Sequence, residues 1–291
     1  MFSSETPANE VNGHTIYDPS KSSSSNQLQG STWSITYGDK SSSSGDVYTD
    51  TVSVGQTTFA NQAVELAQQV STQFQQDVGN DGLLGLGFSS INTVKPQQQM
   101  TFFDNVKSSL SSPLFTADLQ KGKPGTYSFG SIDDSAHTGA ITYVPVDSSR
   151  GFWGFTADSY SVDGGSSGGA ISNAIADTGT SLLLLDDTVV TAYYSGVPGA
   201  QNDQTQGGYT YPCSTALPAI TFTIGGYAAT VPGSYVNYAP TDASGTTCFG
   251  GIQSNTGIGV NIFGDIFLKS QFVVFNGDTS PQLGFAAKPL V

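Results

Sequence analysis

Short runs in which apolar and hydroxyl-bearing residues alternate with period two recur along this chain, and that period builds β-strands rather than helices. Ser31-Thr32-Trp33-Ser34-Ile35-Thr36-Tyr37 is one such run. It leads into the turn-rich Gly38–Gly45 segment and then Asp46-Val47-Tyr48-Thr49-Asp50-Thr51-Val52-Ser53-Val54. Together these predict a long hairpin whose tip, including the serine run, is a solvated loop. Further strands are expected at Thr126–Phe129, Ile220–Ile224, Tyr227–Val231 and Gln271–Phe275. Helices are few. Thr101-Phe102-Phe103-Asp104 has a capped start with Val106 and Leu110 at helical spacing, and Asp187–Tyr194 offers a second. The expected fold is mostly β with a few short helices.

Charged residues make up only 11% of the 291, against about a quarter in ordinary soluble domains. Small polar residues fill the deficit, which suits a β-rich secreted protein. Nine basic residues against 23 acidic ones give a net charge of −14. That surface repels nucleic-acid phosphates and anionic membranes. It also carries little positive self-repulsion once its carboxylates protonate, so acid is tolerated. His14 and His137 are isolated, and no glycine-rich loop carries a phosphate-binding lysine. The reading requires neither metal nor cofactor. Gly165-Ser166-Ser167-Gly168-Gly169 fits a nucleophile-elbow spacing but has no helix after it. Cys213 and Cys248 are the only cysteines. Two reduced thiols are the alternative, but the composition favours a disulfide, closing a loop of roughly 36 residues worth about 4 kcal/mol in chain-entropy terms. No apolar run is long enough to span a bilayer. Met1–Glu5 has neither a basic start nor an apolar core, so no signal peptide is expected in this chain.

The chemistry centres on Ala176-Asp177-Thr178-Gly179-Thr180-Ser181 and the leucine run that follows. Hydroxyl neighbours can hydrogen-bond the carboxylate, and the leucines place the loop on a buried strand. By itself this segment fits either a turn-capping aspartate or a functional one. Hydrolysis by carboxylates needs two facing each other, because close carboxyls share one proton and so supply both a base and an acid. The sequence holds no second Asp-Thr-Gly. A weaker internal echo joins Asp81-Gly82-Leu83-Leu84-Gly85-Leu86-Gly87-Phe88 to Asn261-Ile262-Phe263-Gly264-Asp265-Ile266-Phe267-Leu268, each with two apolar residues and a glycine in an apolar stretch. It hints at two related lobes.

With these motifs in view, the chain resembles the pepsin-family aspartic endopeptidases of the fungal aspergillopepsin and penicillopepsin type, from Phe2 to the C-terminus. The resemblance rests on Tyr37-Gly38-Asp39, the two apolar-apolar-Gly elements, Asp177-Thr178-Gly179-Thr180 and the late cysteine pair. It implies a bilobal fold with a substrate cleft. The N-terminal lobe would span residues 1–138 and carry the flap hairpin. The C-terminal lobe, residues 139–291, would carry the Asp-Thr-Gly turn and the disulfide. Asp177 would be a catalytic aspartate, with Gly179 and Thr180 beside it in the cleft. Tyr37 would close over the substrate, with Gly38 and Asp39 on its backbone. An acid at Asp39 goes with acceptance of a basic residue before the scissile bond, although Lys40 stands where the family pattern has glycine.

The family pattern places a first Asp-Thr-Gly ahead of a strand ending Phe-Ser-Ser, whereas here Phe2-Ser3-Ser4 follows Met1 directly. The expectation is an N lobe truncated at its start, with one of two catalytic carboxylates retained and no activity alone. A pseudoprotease or inhibitor-type binding protein on the same scaffold is the alternative. The parent protein is expected to be extracellular and monomeric, acting on proteins or peptides at acidic pH, with no nucleic acid or membrane partner.

Overall fold

The alternating runs fold as strands, joined by tight turns and short helices. The computed structural model describes residues 1–163 and 165–290. Packing divides the chain into two units, Met1–Leu110 and Ser111–Val291. The lobe boundary read from sequence, 138/139, lies later than this division. Strands Leu114–Asp118 and Thr126–Phe129 hydrogen-bond into one sheet with Phe272–Asn276, Gln282–Ala287 and Thr138–Pro145, which keeps them in the second unit.

The first unit is built on a three-stranded antiparallel sheet of Asn26–Thr36, Ser42–Val54 and Thr57–Val70, in chain order. Trp33, Val47, Ala67 and Val94 form its buried cluster, with Leu28, Ile35, Ala63 and Val70 packed against them. The Trp33 indole N–H donates to the carbonyls of Asp46 and Leu66, both at 3.1 Å, pinning all three strands together. The serine run is not a solvated loop. Ser42, Ser43 and Ser44 pair with Thr36, Ile35 and Ser34 on one side, and Ser43 and Ser44 pair with Val70 and Gln69 on the other. Serine costs a strand little when its neighbours supply the apolar packing, and Ser43 Oγ adds a 2.8 Å bond to the Gln69 carbonyl. Next to it, Gly45 is required by space, since a Cβ there would lie 2.0 Å from the Leu66 carbonyl oxygen.

Asp50 sits inside the second strand, buried, and organises the unit's base. Its carboxylate accepts from the Tyr17 hydroxyl at 2.5 Å, from Ser24 at 2.5 Å, from Ser22 at 3.0 Å and from the Thr51 N–H at 2.7 Å. Burial pushes this carboxyl up, but the bonds from Ser24, Tyr17, Ser22 and Thr51 overcome it and hold it at about 2. The expected helix forms over Phe102–Val106, with Thr101 Oγ1 accepting from the Asp104 N–H at 3.1 Å and Phe102, Phe103 and Val106 buried.

Among the described residues the second unit contains four sheets. The one that positions Asp177 has the order Ile252–Ser254, Leu183–Leu185, Asn261–Phe263, Ile171–Ala176, Gly154–Ala157. Its core is aromatic: the Phe263 ring lies 4.9 Å from Phe155, 5.0 Å from Phe222 and 4.9 Å from Phe267, all edge-on. Predicted strands at 126–129, 220–224 and 227–231 form as expected, and that at 271–275 forms one residue later. The Asp187–Tyr194 helix buries Val189, Val190, Tyr193 and Tyr194. Cys213 and Cys248 are bonded, with their Cα atoms 5.0 Å apart, beside the Tyr211↔Cys248 register of a four-stranded sheet. Ser167 falls in a two-residue strand, Ser167–Gly168, paired with Ser159–Val162. It occupies no strand-to-helix elbow.

Candidate active site

In the second unit the chain leaves the interior strand Ile171–Ala176 and turns at once. That strand runs parallel to Asn261–Phe263 and antiparallel to Gly154–Ala157, so its end is fixed on both sides. The Asp177 N–H continues the ladder to the Phe263 carbonyl at 3.2 Å. Its carboxylate is held by the turn it begins. Gly179 N–H donates to Oδ1 at 2.9 Å, and Thr180 Oγ1 donates to Oδ2 at 2.7 Å. A side chain at residue 179 would press on the carboxylate, since a Cβ there would lie 3.2 Å from Oδ1. Each carboxylate oxygen thus has a donor, and the group itself is half-buried. That fixes its plane and leaves lone pairs free for another partner.

Two residues not singled out by the sequence reading share this site. Asp265 opens the short helix Asp265–Leu268, and its N–H donates to the Thr180 carbonyl at 2.8 Å. Burial pushes its carboxyl up, the Lys269 ammonium 3.3 Å away draws it down, and Asp177 adds to the upward push. Tyr127, on the strand Thr126–Phe129, is raised by burial, lowered by the side chain of Thr178, and raised by the charges of Asp265 and Asp177.

In the first unit the hairpin turn is tight, occupying only residues 37–41 between its strands. Tyr37 N–H donates to the Ser41 carbonyl at 2.9 Å, and Lys40 N–H to the Tyr37 carbonyl at 3.1 Å. Tyr37, Gly38 and Asp39 are all exposed at this tip. Asp39 Oδ1 accepts from the Ser41 N–H at 2.9 Å and from its hydroxyl at 2.6 Å, so one oxygen braces the turn. Lys40 has a φ of 72°, the left-handed region where glycine is at ease and a side chain costs about 1 kcal/mol. The Tyr37 ring meets Phe74 edge-on at 5.7 Å. Burial, then Glu65 and Asp39, raise its phenol.

The family model for eukaryotic aspartyl proteases matches residues 1–288. The chain belongs to that family. It is 60% identical over 286 residues to penicillopepsin-1 of Penicillium janthinellum, an alignment covering 98% of this chain and 87% of that one. It is 58% identical to aspergillopepsin-1 of Aspergillus clavatus, covering 99% and 72% of the two chains. With endothiapepsin of Cryphonectria parasitica it shares 57% identity over 99% and 69%. Its structure matches the crystal structure of the aspartic proteinase from Irpex lacteus with a TM-score of 0.77 at 27% identity, covering 95% of this chain and 85% of that one. The mostly-β, pepsin-like fold and the pepsin-like aspartic endopeptidase class read from the sequence are therefore correct.

Among the residues singled out from sequence for this aspartyl protease, Asp177, Gly179 and Thr180 come together on one loop of the second unit. Tyr37, Gly38 and Asp39 come together on one turn of the first. Tyr127 carried no local signal as a site residue, and Asp265 carried only a weak one. They reach the loop from 88 residues downstream and 50 residues upstream through non-local pairing. The one available clue was Ile262-Phe263-Gly264, whose glycine is followed by Asp265.

Proposed function

We propose that Asp177 is one carboxylate of a water-activating pair that hydrolyses peptide bonds in proteins at acidic pH. The supporting observation is a carboxylate fixed by donors on both oxygens, at the end of an interior strand, in a member of the aspartyl protease family. In aspartic proteases, as is well established for them, two close carboxyls share one proton. The ionised one takes a proton from water as the water attacks the scissile carbonyl, and the protonated one polarises that carbonyl. Gly179 and Thr180 hold Asp177 in the plane this requires. Tyr37 at the hairpin tip covers the substrate, and the free oxygen of Asp39 accepts from the substrate or from a basic side chain before the scissile bond.

One Asp-Thr-Gly in 291 residues supplies one carboxylate of the two. These residues alone are therefore inactive, and a non-catalytic binding role on the same scaffold is the second reading that this single motif favours. The low lysine content, net charge of −14 and disulfide fit an extracellular, acid-tolerant monomer that binds neither nucleic acid nor anionic membranes. No helix among the described residues is long and apolar enough to cross a membrane.

Incubation of the purified chain with haemoglobin at acidic pH is the test. No digestion is expected. Digestion blocked by a statine-type inhibitor would show that a second carboxylate within these residues completes the pair.

A further inference from the structure

The tip of the first unit's hairpin carries a residue that its backbone does not favour. Lys40 has a φ of 72°, a conformation in which glycine is at ease and a long side chain is not. The turn does not let it relax. Tyr37 N–H donates to the Ser41 carbonyl, Lys40 N–H donates to the Tyr37 carbonyl, and Asp39 Oδ1 accepts twice from Ser41. Ser41 is only 2% exposed, so the turn is anchored at its base. Strain kept at an exposed position points to a use for the side chain rather than to a need of folding.

The surrounding charges supply that use. The chain holds nine basic residues against 23 acidic ones. Lys21, Lys107, Lys269 and Lys288 each face an aspartate, at 3.3, 2.6, 3.3 and 2.9 Å. Lys40 is exposed and has no ion pair among the described residues. The charges close to it at the tip are acidic. Asp39 precedes it, and Glu65 and Asp39 both act on the Tyr37 phenol. Lys40 is thus an uncommitted cation on a fixed turn beside Tyr37. Its ammonium is a compact charge with three donors, suited to a carboxylate. A turn already held in place lowers the ordering cost of meeting one.

We propose that Lys40 is a specificity-determining residue that selects peptides carrying an aspartate or glutamate side chain close to the bond to be cleaved. This rests on the reading of the hairpin tip as a cover over the substrate. Lys40 Nζ donates to the peptide's carboxylate, while the Asp39 oxygen not engaged by Ser41 stays available to a donor on a neighbouring residue. Two opposite charges adjacent on one turn thereby read a substrate of mixed sign, an acidic residue near a basic one. Glycine at this position would carry the turn equally well without that selection.

The test is an NMR titration of the isotopically labelled 291-residue chain with short peptides at low salt and about pH 6, where peptide carboxylates are ionised. Each peptide has a lysine–phenylalanine bond at its centre and one glutamate at a flanking position, and each is matched by a neutral glutamine twin. Binding is read from the amide shifts of Gly38, Asp39, Lys40 and Ser41. The best glutamate peptide is expected to bind about 2–5-fold more tightly than its twin. That preference should vanish in Lys40→Gln, persist in Lys40→Arg and shrink at about 0.5 M salt. If Lys40→Gln distorts the turn, Lys40→Gly removes the same charge with a residue at ease in this conformation. Binding without a glutamate preference, or a preference that survives Lys40→Gln, overturns the assignment of Lys40 and leaves the tip standing as a cover. No shift at the tip with any peptide overturns both. The reading of Asp177 is untouched by either outcome, because proteolysis tests it.

Discussion

Ile262 and Phe263 are 8% and 0% exposed, while Leu83 and Leu84, in the same two-apolar-plus-glycine pattern, are 56% and 48% exposed. Ile262 and Phe263 form a strand bonded on both sides, parallel to Ile171–Ala176 and antiparallel to Leu183–Leu185. Leu83 and Leu84 lie in Asp81–Phe88, which joins no strand among the described residues. The pattern supplies apolar surface, but burial depends on two flanking strands to receive it. The same contrast extends to the units. Among the described residues the second has four sheets, an aromatic core and a disulfide, whereas the first rests on one three-stranded sheet with Val78, Leu83, Leu84, Ile91 and Met100 exposed. Apolar surface left in water contributes nothing to folding, so the first unit should be the less stable.

The sharpest way to break this comparison is to truncate the two patterns. Phe263→Ala should destabilise the second unit by about 3–5 kcal/mol, since a fully buried ring leaves a cavity. Leu83→Ala should change stability by less than about 0.5 kcal/mol. The two tryptophans make the readout separable, as Trp33 lies in the first unit and Trp153 in the second. Urea unfolding followed by fluorescence in Trp33→Phe and Trp153→Phe backgrounds reports each unit alone. Equal losses for the two truncations would contradict the contrast.

Part of the second unit's advantage is covalent. Replacing Cys213 and Cys248 by serine should cost it about 4 kcal/mol through the entropy of the reopened loop. The Trp33 signal should not move in that variant. If it does, the units do not unfold separately.

In the first unit the equivalent anchor is Asp50. Its carboxyl is held at about 2 in the folded chain, below its ordinary 3.8. A depressed carboxylate contributes stability that is complete above the ordinary value and fades as pH falls towards the folded one. The first unit should therefore hold this contribution down to about pH 4 and lose it towards pH 2. Asp50→Asn should flatten that part of its acid-unfolding profile while lowering stability by about 2 kcal/mol at neutral pH. An unchanged profile would remove Asp50 from this role.

The strands at 126–129, 220–224 and 227–231 were legible because one of their faces is apolar and the other polar, a period that local sequence displays. The serine run was not, because Ser42–Ser44 join the sheet through backbone bonds while the apolar packing comes from Trp33, Val47 and Ala67. Asp177, Gly179 and Thr180 were legible as a motif because their hydrogen bonds are local, spanning two and three residues. Asp265 and Tyr127 were not, because only the pairing of distant strands brings them to the loop. Lys40 falls between these cases. Sequence marked it as unusual, and its φ of 72° supplies the reason. Lys40→Gly should relieve that turn and stabilise the first unit by up to about 1 kcal/mol.

On the proposed reading, Asp177 needs a mate. Joining to the front of this chain a segment that supplies a second Asp-Thr-Gly tests that most directly. The fusion should digest haemoglobin at acidic pH where the unfused chain does not, and Asp177→Asn should abolish the gain by at least about a thousandfold. Digestion that survives Asp177→Asn would contradict the account.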